Sequence, residues 1–314
     1  MVEILLIFLV ICAISIVCTS KEYRIVILFS VFSLITAAIY LFLGGPDVAM
    51  AEAGISAFAT IFFIVCIEKH YRRGRETGSE KKNREIKKGF VIKVLLSLLF
   101  TVALSVLVIH FTPIEYPYLG LRDEYLRRFM EDVGGGNAVT AIYLGYRVYD
   151  TLFEALLLVI AVVAVMHVSW YKEVSVDDGH HSETENSRMA QFTMRIIAPI
   201  ILIFGVYLVM NGHISAGGGF LGGLAFAALI ICRYFVRGIF DLSISKAIKL
   251  EELVFLGIVI LPTFAIFTIG AYSVWDQSVF LQEAYLISMS ALIGLKVAFG
   301  FFVLFYRSIA VERL

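Results

Sequence analysis

The chain has 314 residues, of which 60% are hydrophobic and only 17% are charged, and its formal net charge is zero. Because globular proteins carry about 25% charged residues, this composition excludes an ordinary soluble protein and predicts an integral membrane protein. No basic patch is interleaved with aromatic residues, so we expect no nucleic-acid partner. The four cysteines lie in apolar runs without a C-x-x-C motif, so we predict no bound metal.

Apolar runs of about 20 residues can cross the hydrocarbon core of a bilayer, and the sequence contains about nine of them. They cover residues 2–18, 24–43, 48–68, 90–110, 151–170, 193–211, 219–236, 250–272 and 284–306. The first run lacks a basic head and a cleavage site, so we interpret it as a span rather than a signal peptide. We therefore predict an all-α integral membrane protein.

The loops on the two sides of the membrane differ strongly in charge. Most of the 26 Lys and Arg residues fall on one side, above all in residues 69–89, so the positive-inside rule places the N-terminus outside and the C-terminus inside. Two polar inner loops then divide the chain, and we interpret His180 and His181 in the second loop as solvated. The predicted units are a three-span unit (1–89), a two-span unit with an external amphipathic helix at 121–132 (90–174), an inner linker (175–190) and a four-span unit (191–314).

Glu52 is the first ionisable residue placed inside a predicted span. A charge at this depth costs about 2.5–3.5 kcal/mol on insertion scales, so each one is a candidate functional residue. Asp47 follows the helix-breaking segment Gly44–Pro46 and can cap the third span, which is the structural interpretation we favour. Glu52 has no basic neighbour one turn away, so it must be neutral, hydrated or paired with another helix. Each of these states suits proton or cation transport.

The fifth span opens with three charged residues on one helix face, Arg147, Asp150 and Glu154, at spacings of three and four. Arg147 and Asp150 can form an interfacial ion pair or belong to an ion path, and the sequence leaves both interpretations open. Glu154 lies one turn deeper, in a setting similar to that of Glu52. Both glutamates fall in the outer third of the membrane and could line one entrance if their spans are neighbours.

Two basic side chains complete the set of ion-path candidates. His213 follows the sixth span at its outer edge, where an imidazole can exchange a proton near neutral pH or bind helix-end carbonyl groups. Lys296 lies midway along the ninth span, between Gly294 and Gly300. We interpret it as a buried proton carrier or as the partner of a carboxylate on another subunit.

The segment NGHISAGGGFLGGL at residues 211–224 contains the G-x-G-x-x-G spacing of dinucleotide-binding folds. We reject that interpretation, because no strand precedes the segment and a membrane span follows it. The glycines instead predict a tight external turn and a small-residue surface, with spacings of four, on which another helix can pack closely. The residues that form this surface are Gly218, Gly219, Gly222 and Gly223.

Three segments resemble consecutive members of a known family of membrane subunits. GGPDVAMAEAGISA resembles the P-D-x-A-x-x-E-A segment in the C-terminal part of the large, A-type Mrp antiporter subunit and in the small D-type subunit of membrane-bound hydrogenase. NAVTAIYLGYRVYDTLFEA is similar to the next segment of the A-type protein, which is the separate E-type subunit in hydrogenases. NGHISAGGGFLGGL resembles the G-H-x-x-P-G-G-G-F-x-G-G-L signature of the B-type Mrp subunit, or the F-type hydrogenase subunit. The three segments follow one another in family order and their units cover nearly the whole chain.

The resemblance implies a multi-subunit module that exchanges Na+ and H+ across the cytoplasmic membrane of a prokaryote. The expected partners are the lipid bilayer, other Mrp-like and complex I-like membrane subunits and a cytoplasmic redox arm with iron–sulfur clusters. This chain is expected to bind no cofactor of its own. The family's candidate ion-path residues carry over to Asp47, Glu52, Arg147, Asp150, Glu154 and His213.

Three positions depart from the family pattern. Thr140 replaces the second Asn of its motif, Ala216 replaces the signature proline, and Lys296 stands where the B-type antiporter protein carries Gly. The large antiporter-like half of the A-type protein is missing, so we expect this chain alone not to pump. Together with Lys296, its absence favours a non-catalytic ion-path subunit of a redox-linked complex, such as membrane-bound hydrogenase or sulfane sulfur reductase. The alternatives are a component of a free-standing Mrp antiporter, a structural scaffold and an autonomous transporter.

Overall fold

The computed structural model describes residues 2–76, 95–106, 120–168, 188–237, 243–270 and 279–310. The described residues contain no β-strand, so the predicted all-α class is confirmed. A π-helical turn, Ile142–Tyr146, precedes the seventh helix. The helices are α1 (Val2–Cys18), α2 (Glu22–Phe42), α3 (Pro46–Glu76), α4 (Leu95–Val106), α5 (Leu121–Asp132), α6 (Ala138–Ala141), α7 (Val148–Val168), α8 (Arg188–Asn211), α9 (Gly219–Arg237), α10 (Ile244–Gly270) and α11 (Val279–Ala310).

Five of the described helices contain segments that are long and apolar enough to cross a membrane. They are Glu22–Phe42, Pro46–Glu68, Val148–His167, Gln191–Asn211 and Phe280–Ser308. Shorter apolar segments are Val2–Cys18, Leu95–Val106 and Gly219–Tyr234. This pattern supports a multi-pass membrane protein, whereas the count of nine spans and the orientation of the termini stay predictions.

Local sequence explains where α3 and α6 begin. Gly44 has a φ of 81°, a conformation that side chains disfavour, and it ends α2 in a tight turn. Pro46 then occupies the first position of α3, where its missing N–H group has no intrahelical acceptor to lose. Asn137 caps α6, because its Oδ1 accepts a hydrogen bond from the backbone N–H of Val139 at 2.9 Å.

One boundary differs from the prediction. We expected the basic inner loop to begin at residue 69, but α3 continues to Glu76. A helix can extend past its apolar stretch because charged side chains on the added turns can remain in water. The rest of this loop and the predicted linker with His180 and His181 lie outside the described residues.

Helix α11 forms the centre of the packed core. It is the most buried of the five membrane-length segments, and it packs against α3, α7, α8, α9 and α10. An aromatic cluster joins three of these helices, with the ring of Phe301 on α11 4.7 Å from that of Phe58 on α3 and the ring of Phe305 5.5 Å from that of Tyr234 on α9. By contrast, α1 packs on α2, and α2 packs on α3.

The glycines of α9 face two different helices. A Cβ on Gly223 would lie 2.6 Å from the carbonyl oxygen of Gly294 on α11, which is closer than side chains tolerate, and Gly219 contacts the backbone of Ser290 on the same helix. Gly222 faces α8 instead, where a Cβ would lie 3.0 Å from the carbonyl oxygen of Gly205. Helix α9 is therefore wedged between α8 and α11 by close backbone contact.

Candidate functional site

Hydrogen bonds join three segments at the N-terminal end of α3. The half-buried Asp47 accepts through Oδ1 from Asn137 Nδ2 at 3.1 Å and from the backbone N–H of Gly217 at 3.2 Å. Asn137 Nδ2 also lies 3.3 Å from the carbonyl oxygen of Gly212 and 3.0 Å from that of Ser215. We call these five residues the three-segment junction, because they come from α3, from the loop before α6 and from the loop between α8 and α9.

Buried hydroxyl groups lie beside this junction. Thr140 Oγ1 donates to the carbonyl oxygen of Gly212 at 2.6 Å. The hydroxyl of Tyr143 lies against Gly218, whose φ of 112° suits a residue without a side chain. Burial raises the pKa of Tyr143, and the negative charges of Asp47 and Glu154 raise it further.

His213 lies in the loop between α8 and α9 and is buried, with 6% of its surface exposed. Its carbonyl oxygen accepts from the backbone N–H of Asn137 at 2.9 Å. Within the described residues, its Nδ1 has no hydrogen-bond partner, and the same is true of Oγ of the buried Ser290 on α11. The imidazole is thus placed near the junction without being part of it.

Glu52 lies between α2 and α3. Its side chain is half-buried, and its Oε1 accepts a hydrogen bond from the hydroxyl of Ser33, a buried residue of α2. Ser56 is also buried and lies one turn further along α3. A carboxylate inside an apolar helix is therefore held by a hydroxyl group rather than by a cation.

Arg147, Asp150 and Glu154 lie at the start of α7. Arg147 precedes the helix, and its guanidinium forms an ion pair with Asp150 at 2.6 Å. Both side chains are more than half exposed, at 59% and 55%. Glu154 lies one turn further on and is also exposed. The π-helical turn before Arg147 is a feature that is often found near functional sites.

Glu52 and Glu154 lie on helices that both pack against α11. Helix α3 packs against α2, α9 and α11, whereas α7 packs against α10 and α11. The condition we set for a common entrance was direct contact between the two glutamate-bearing spans. In the structure their main common neighbour is α11, so any path between the two carboxylates passes along that helix.

Lys296 pairs with a carboxylate of its own chain. Its Nζ donates a hydrogen bond to Oε1 of Glu251 on α10, and the two side chains are only 1% and 5% exposed. The ammonium also lies 5.1 Å from the ring centroid of Phe255, one turn along α10, within the range of a cation–π interaction. We expected a proton carrier or a partner on another subunit, and the structure instead supplies the partner from the adjacent helix.

Comparisons with known proteins follow the same division of the chain. Residues 189–312 match the family model described as a domain related to the MnhB subunit of Na+/H+ antiporter. Residues 7–72 match the MbhD family model, which is described as the D-type subunit of MBH. The curated antiporter protein mnhA2 of Staphylococcus haemolyticus is 28% identical over 160 residues, which make up 51% of this chain and 19% of that relative. The chain therefore spans about a fifth of the length of this relative.

Two solved structures are similar to the chain. The membrane-bound sulfane sulfur reductase, an archaeal respiratory membrane complex, matches with 26% identity and a TM-score of 0.53 over 69% of this chain and 97% of the matched chain. The chain is an Mrp-type fusion. It joins a part related to the C-terminal portion of the A-type protein to a part related to the B-type protein. The Mrp complex from Dietzia sp. DQ12-45-1b shares the fold over 95% of the fusion and 34% of its own chain, with a TM-score of 0.64 and 17% identity.

Sequence reasoning missed three partners in this Mrp-type fusion: Ser33, Asn137 and Glu251. Glu251 falls at the start of a predicted span, but α10 begins at Ile244, which puts Glu251 in its second turn. A usable signal existed, since Ala247, Glu251, Val254 and Ile258 recur at spacings of four, three and four, and all are buried. For Ser33 and Asn137, whose partners lie 19 and 90 residues away, the spacing in the chain carries no comparable signal.

Proposed function

We propose that this Mrp-type fusion is a non-catalytic membrane subunit of a multi-subunit module that exchanges Na+ for H+. It acts in the cytoplasmic membrane of a prokaryote, beside other Mrp-like and complex I-like membrane subunits. Na+ and H+ are the transported ions, and the chain itself binds no cofactor. The proposal includes about nine spans, with the N-terminus outside and the C-terminus inside, because that orientation gathers the basic loops on the inner face.

One observation carries this proposal. Ionisable side chains are retained inside apolar helices: Glu52 on α3, and the Glu251–Lys296 pair between α10 and α11. Each charge in this environment costs about 2.5–3.5 kcal/mol on insertion scales, so a helix that only holds other subunits together would do better without it. The relationship to Na+/H+ antiporter subunits gives these groups a use.

The residues take different parts in this proposal. Glu52 and Glu154 bind the proton or the cation, since each carboxylate lies within a membrane-length helix without an ion-pair partner among the described residues. Arg147, Asp150 and His213 lie near the proposed outer entrance, and Lys296 acts through its charge on neighbouring groups. Coupling to a redox arm with iron–sulfur clusters is supported by the similarity to a chain of the sulfane sulfur reductase complex.

The first test measures ion exchange by the assembled complex. The complex is purified through a tag on this chain in mild detergent, reconstituted into vesicles and driven by a pH gradient, with Na+ or K+ as the counter-ion. We expect Glu52→Gln and Glu154→Gln each to lower the exchange rate about tenfold or more, because an amide cannot carry the proton or the negative charge.

Glu68→Gln is the matched control for this test. Glu68 lies on the same helix as Glu52 but is exposed, so the same substitution there should leave the exchange rate unchanged. If intact complexes with Glu52→Gln and Glu154→Gln exchange ions at the wild-type rate, the fusion is a scaffold. Identification of the co-purifying chains, iron, nickel and flavin separates a redox-linked complex from a free-standing antiporter.

A further inference from the structure

Asn137 forms hydrogen bonds with residues of three segments: its own, α3 and the loop between α8 and α9. Its side-chain oxygen caps α6 through Val139, and its backbone N–H donates to the carbonyl oxygen of His213. Its amide nitrogen lies within hydrogen-bond distance of Asp47, Gly212 and Ser215, at 3.1, 3.3 and 3.0 Å. The residue is 8% exposed, so water is largely excluded from these bonds.

The chemistry of this position requires an amide. One side-chain atom must accept from Val139, and the other must donate towards an aspartate and two carbonyl oxygens. Asn and Gln are the side chains that carry an acceptor and an NH2 donor together, and only Asn is short enough to cap its own helix. An aspartate at this position would turn its second oxygen towards three other oxygens.

Asp47 and Glu52 lie five residues apart on α3 but have different partners. Asp47 Oδ1 accepts two N–H groups that come from two other segments of the chain. Glu52 accepts from one hydroxyl on the neighbouring helix. The bonds of Asp47 are those of a fixed acceptor, and an amide oxygen can accept the same two bonds.

The junction also determines where Glu52 lies. Asp47 stands in the first turn of α3, so the junction fixes the end of the helix that carries Glu52. Gly212, Ser215 and Gly217 belong to the loop that holds His213, and Asn137 begins the segment that leads through Tyr143 to α7 and Glu154. One buried residue therefore sets the relative positions of the candidate groups on three segments.

We propose that Asp47 and Asn137 are positioning residues of the ion path, and that Asp47 carries no transported ion. The inference rests on the proposed function, because it assigns roles within the same path. It departs from the resemblance, which groups Asp47 with the ion-path carboxylates. It also assigns a role to Asn137, which the sequence did not single out.

The deciding experiment compares substitutions at residue 47 in the reconstituted complex. Asp47→Asn keeps an oxygen acceptor and removes the charge, whereas Asp47→Ala removes the acceptor. Ion exchange is measured per intact complex, together with the cation concentration that gives half the maximal rate. We expect Asp47→Asn to match the wild type in both quantities, and Asp47→Ala to exchange several-fold more slowly, since Glu52 and His213 then lose their fixed spacing.

Substitutions at residue 137 test the junction from the other side. Asn137→Asp places two carboxylates opposite each other, so we expect it to reduce exchange per complex more than Asp47→Ala does. Adding Asp47→Asn to Asn137→Asp returns a donor to the pair and should recover part of the rate. A role limited to folding would change the yield of complex but not the exchange rate of each intact complex.

Three outcomes overturn the inference. If Asp47→Asn abolishes exchange in an intact complex, as Glu52→Gln is expected to do, Asp47 carries the ion. If Asp47→Ala and Asn137→Asp exchange at the wild-type rate, the junction positions nothing. If every variant with reduced exchange also fails to assemble, its role is purely structural. Failure of the proposed function is recognised separately, because there Glu52→Gln and Glu154→Gln have no effect.

Discussion

The Mrp-type fusion contains two ion pairs in contrasting environments. Glu251 and Lys296 meet between α10 and α11, where their side chains are 5% and 1% exposed. Arg147 and Asp150 meet at the start of α7, where their side chains are 59% and 55% exposed. Both pairs join a carboxylate to a cation, but only the first lies where water cannot replace either partner.

This difference teaches how much each partner depends on the other. A buried charge that loses its partner leaves its neighbour uncompensated in a low-dielectric interior, so breaking such a pair costs about 3–5 kcal/mol. An exposed pair is worth about 0–1 kcal/mol, because solvent screens both charges. Substitutions at the two pairs should therefore differ in effect by several-fold.

The largest expected effect comes from breaking the buried pair. Glu251→Gln and Lys296→Met should each destabilise the protein by about 3–5 kcal/mol, because each leaves one charge buried without a counter-charge. The double variant Glu251→Gln/Lys296→Met should recover most of this loss, since neither charge remains. Thermal unfolding of the purified complex, arranged as a double-mutant cycle, measures the coupling between the two residues.

The chain provides a matched control beside the buried pair. Glu252 is the next residue on α10 and is exposed, so Glu252→Gln should leave the unfolding temperature unchanged. If Glu251→Gln and Glu252→Gln behaved alike, the buried pair would contribute no more to stability than an exposed acid.

A smaller effect is expected from the packing that keeps the pair dry. A Cβ on Gly223 would lie 2.6 Å from the carbonyl oxygen of Gly294 and from Cβ of Val297, the residue after Lys296. Gly223→Ala should therefore push α11 away from α9 and destabilise the protein by about 1–3 kcal/mol, as overpacking does. Thermal unfolding of the same purified complex measures this cost.

Gly257→Ala is the control for overpacking. At Gly257 a Cβ would meet Leu292 at an ordinary distance of 3.4 Å. Because Ala favours a helix over Gly by about 0.5–1 kcal/mol, this substitution should be neutral or slightly stabilising. A Gly223→Ala protein as stable as Gly257→Ala would show that α9 and α11 can separate without cost.

The all-α class and the ion-path candidates on single helices were accessible from the sequence. Hydropathy over about 20 residues predicts a span, because the bilayer thickness fixes its length. The spacing of three between Arg147 and Asp150 places them within reach of each other, and they form an ion pair. These inferences succeed because each depends on residues that are close together in the chain.

The partners of the buried groups depend on which helices are neighbours, and the sequence does not contain that information in a readable form. Glu251 and Lys296 are 45 residues apart, and Asp47 and Asn137 are 90 residues apart. Periodicity shows that Glu251 lies on the buried face of α10, but it does not show that α11 covers that face. For the same reason, the central position of α11 between the helices of Glu52 and Glu154 was not predicted.

The smallest expected effect comes from breaking the exposed pair. Arg147→Ala or Asp150→Asn should change the stability of the complex by no more than about 1 kcal/mol, because water or lipid headgroups can replace the lost partner. Raising the salt concentration should reduce even this effect, since salt screens exposed charges. A loss of about 3 kcal/mol or more would mean that another protein of the complex covers Arg147 and Asp150, which would make the two ion pairs equivalent.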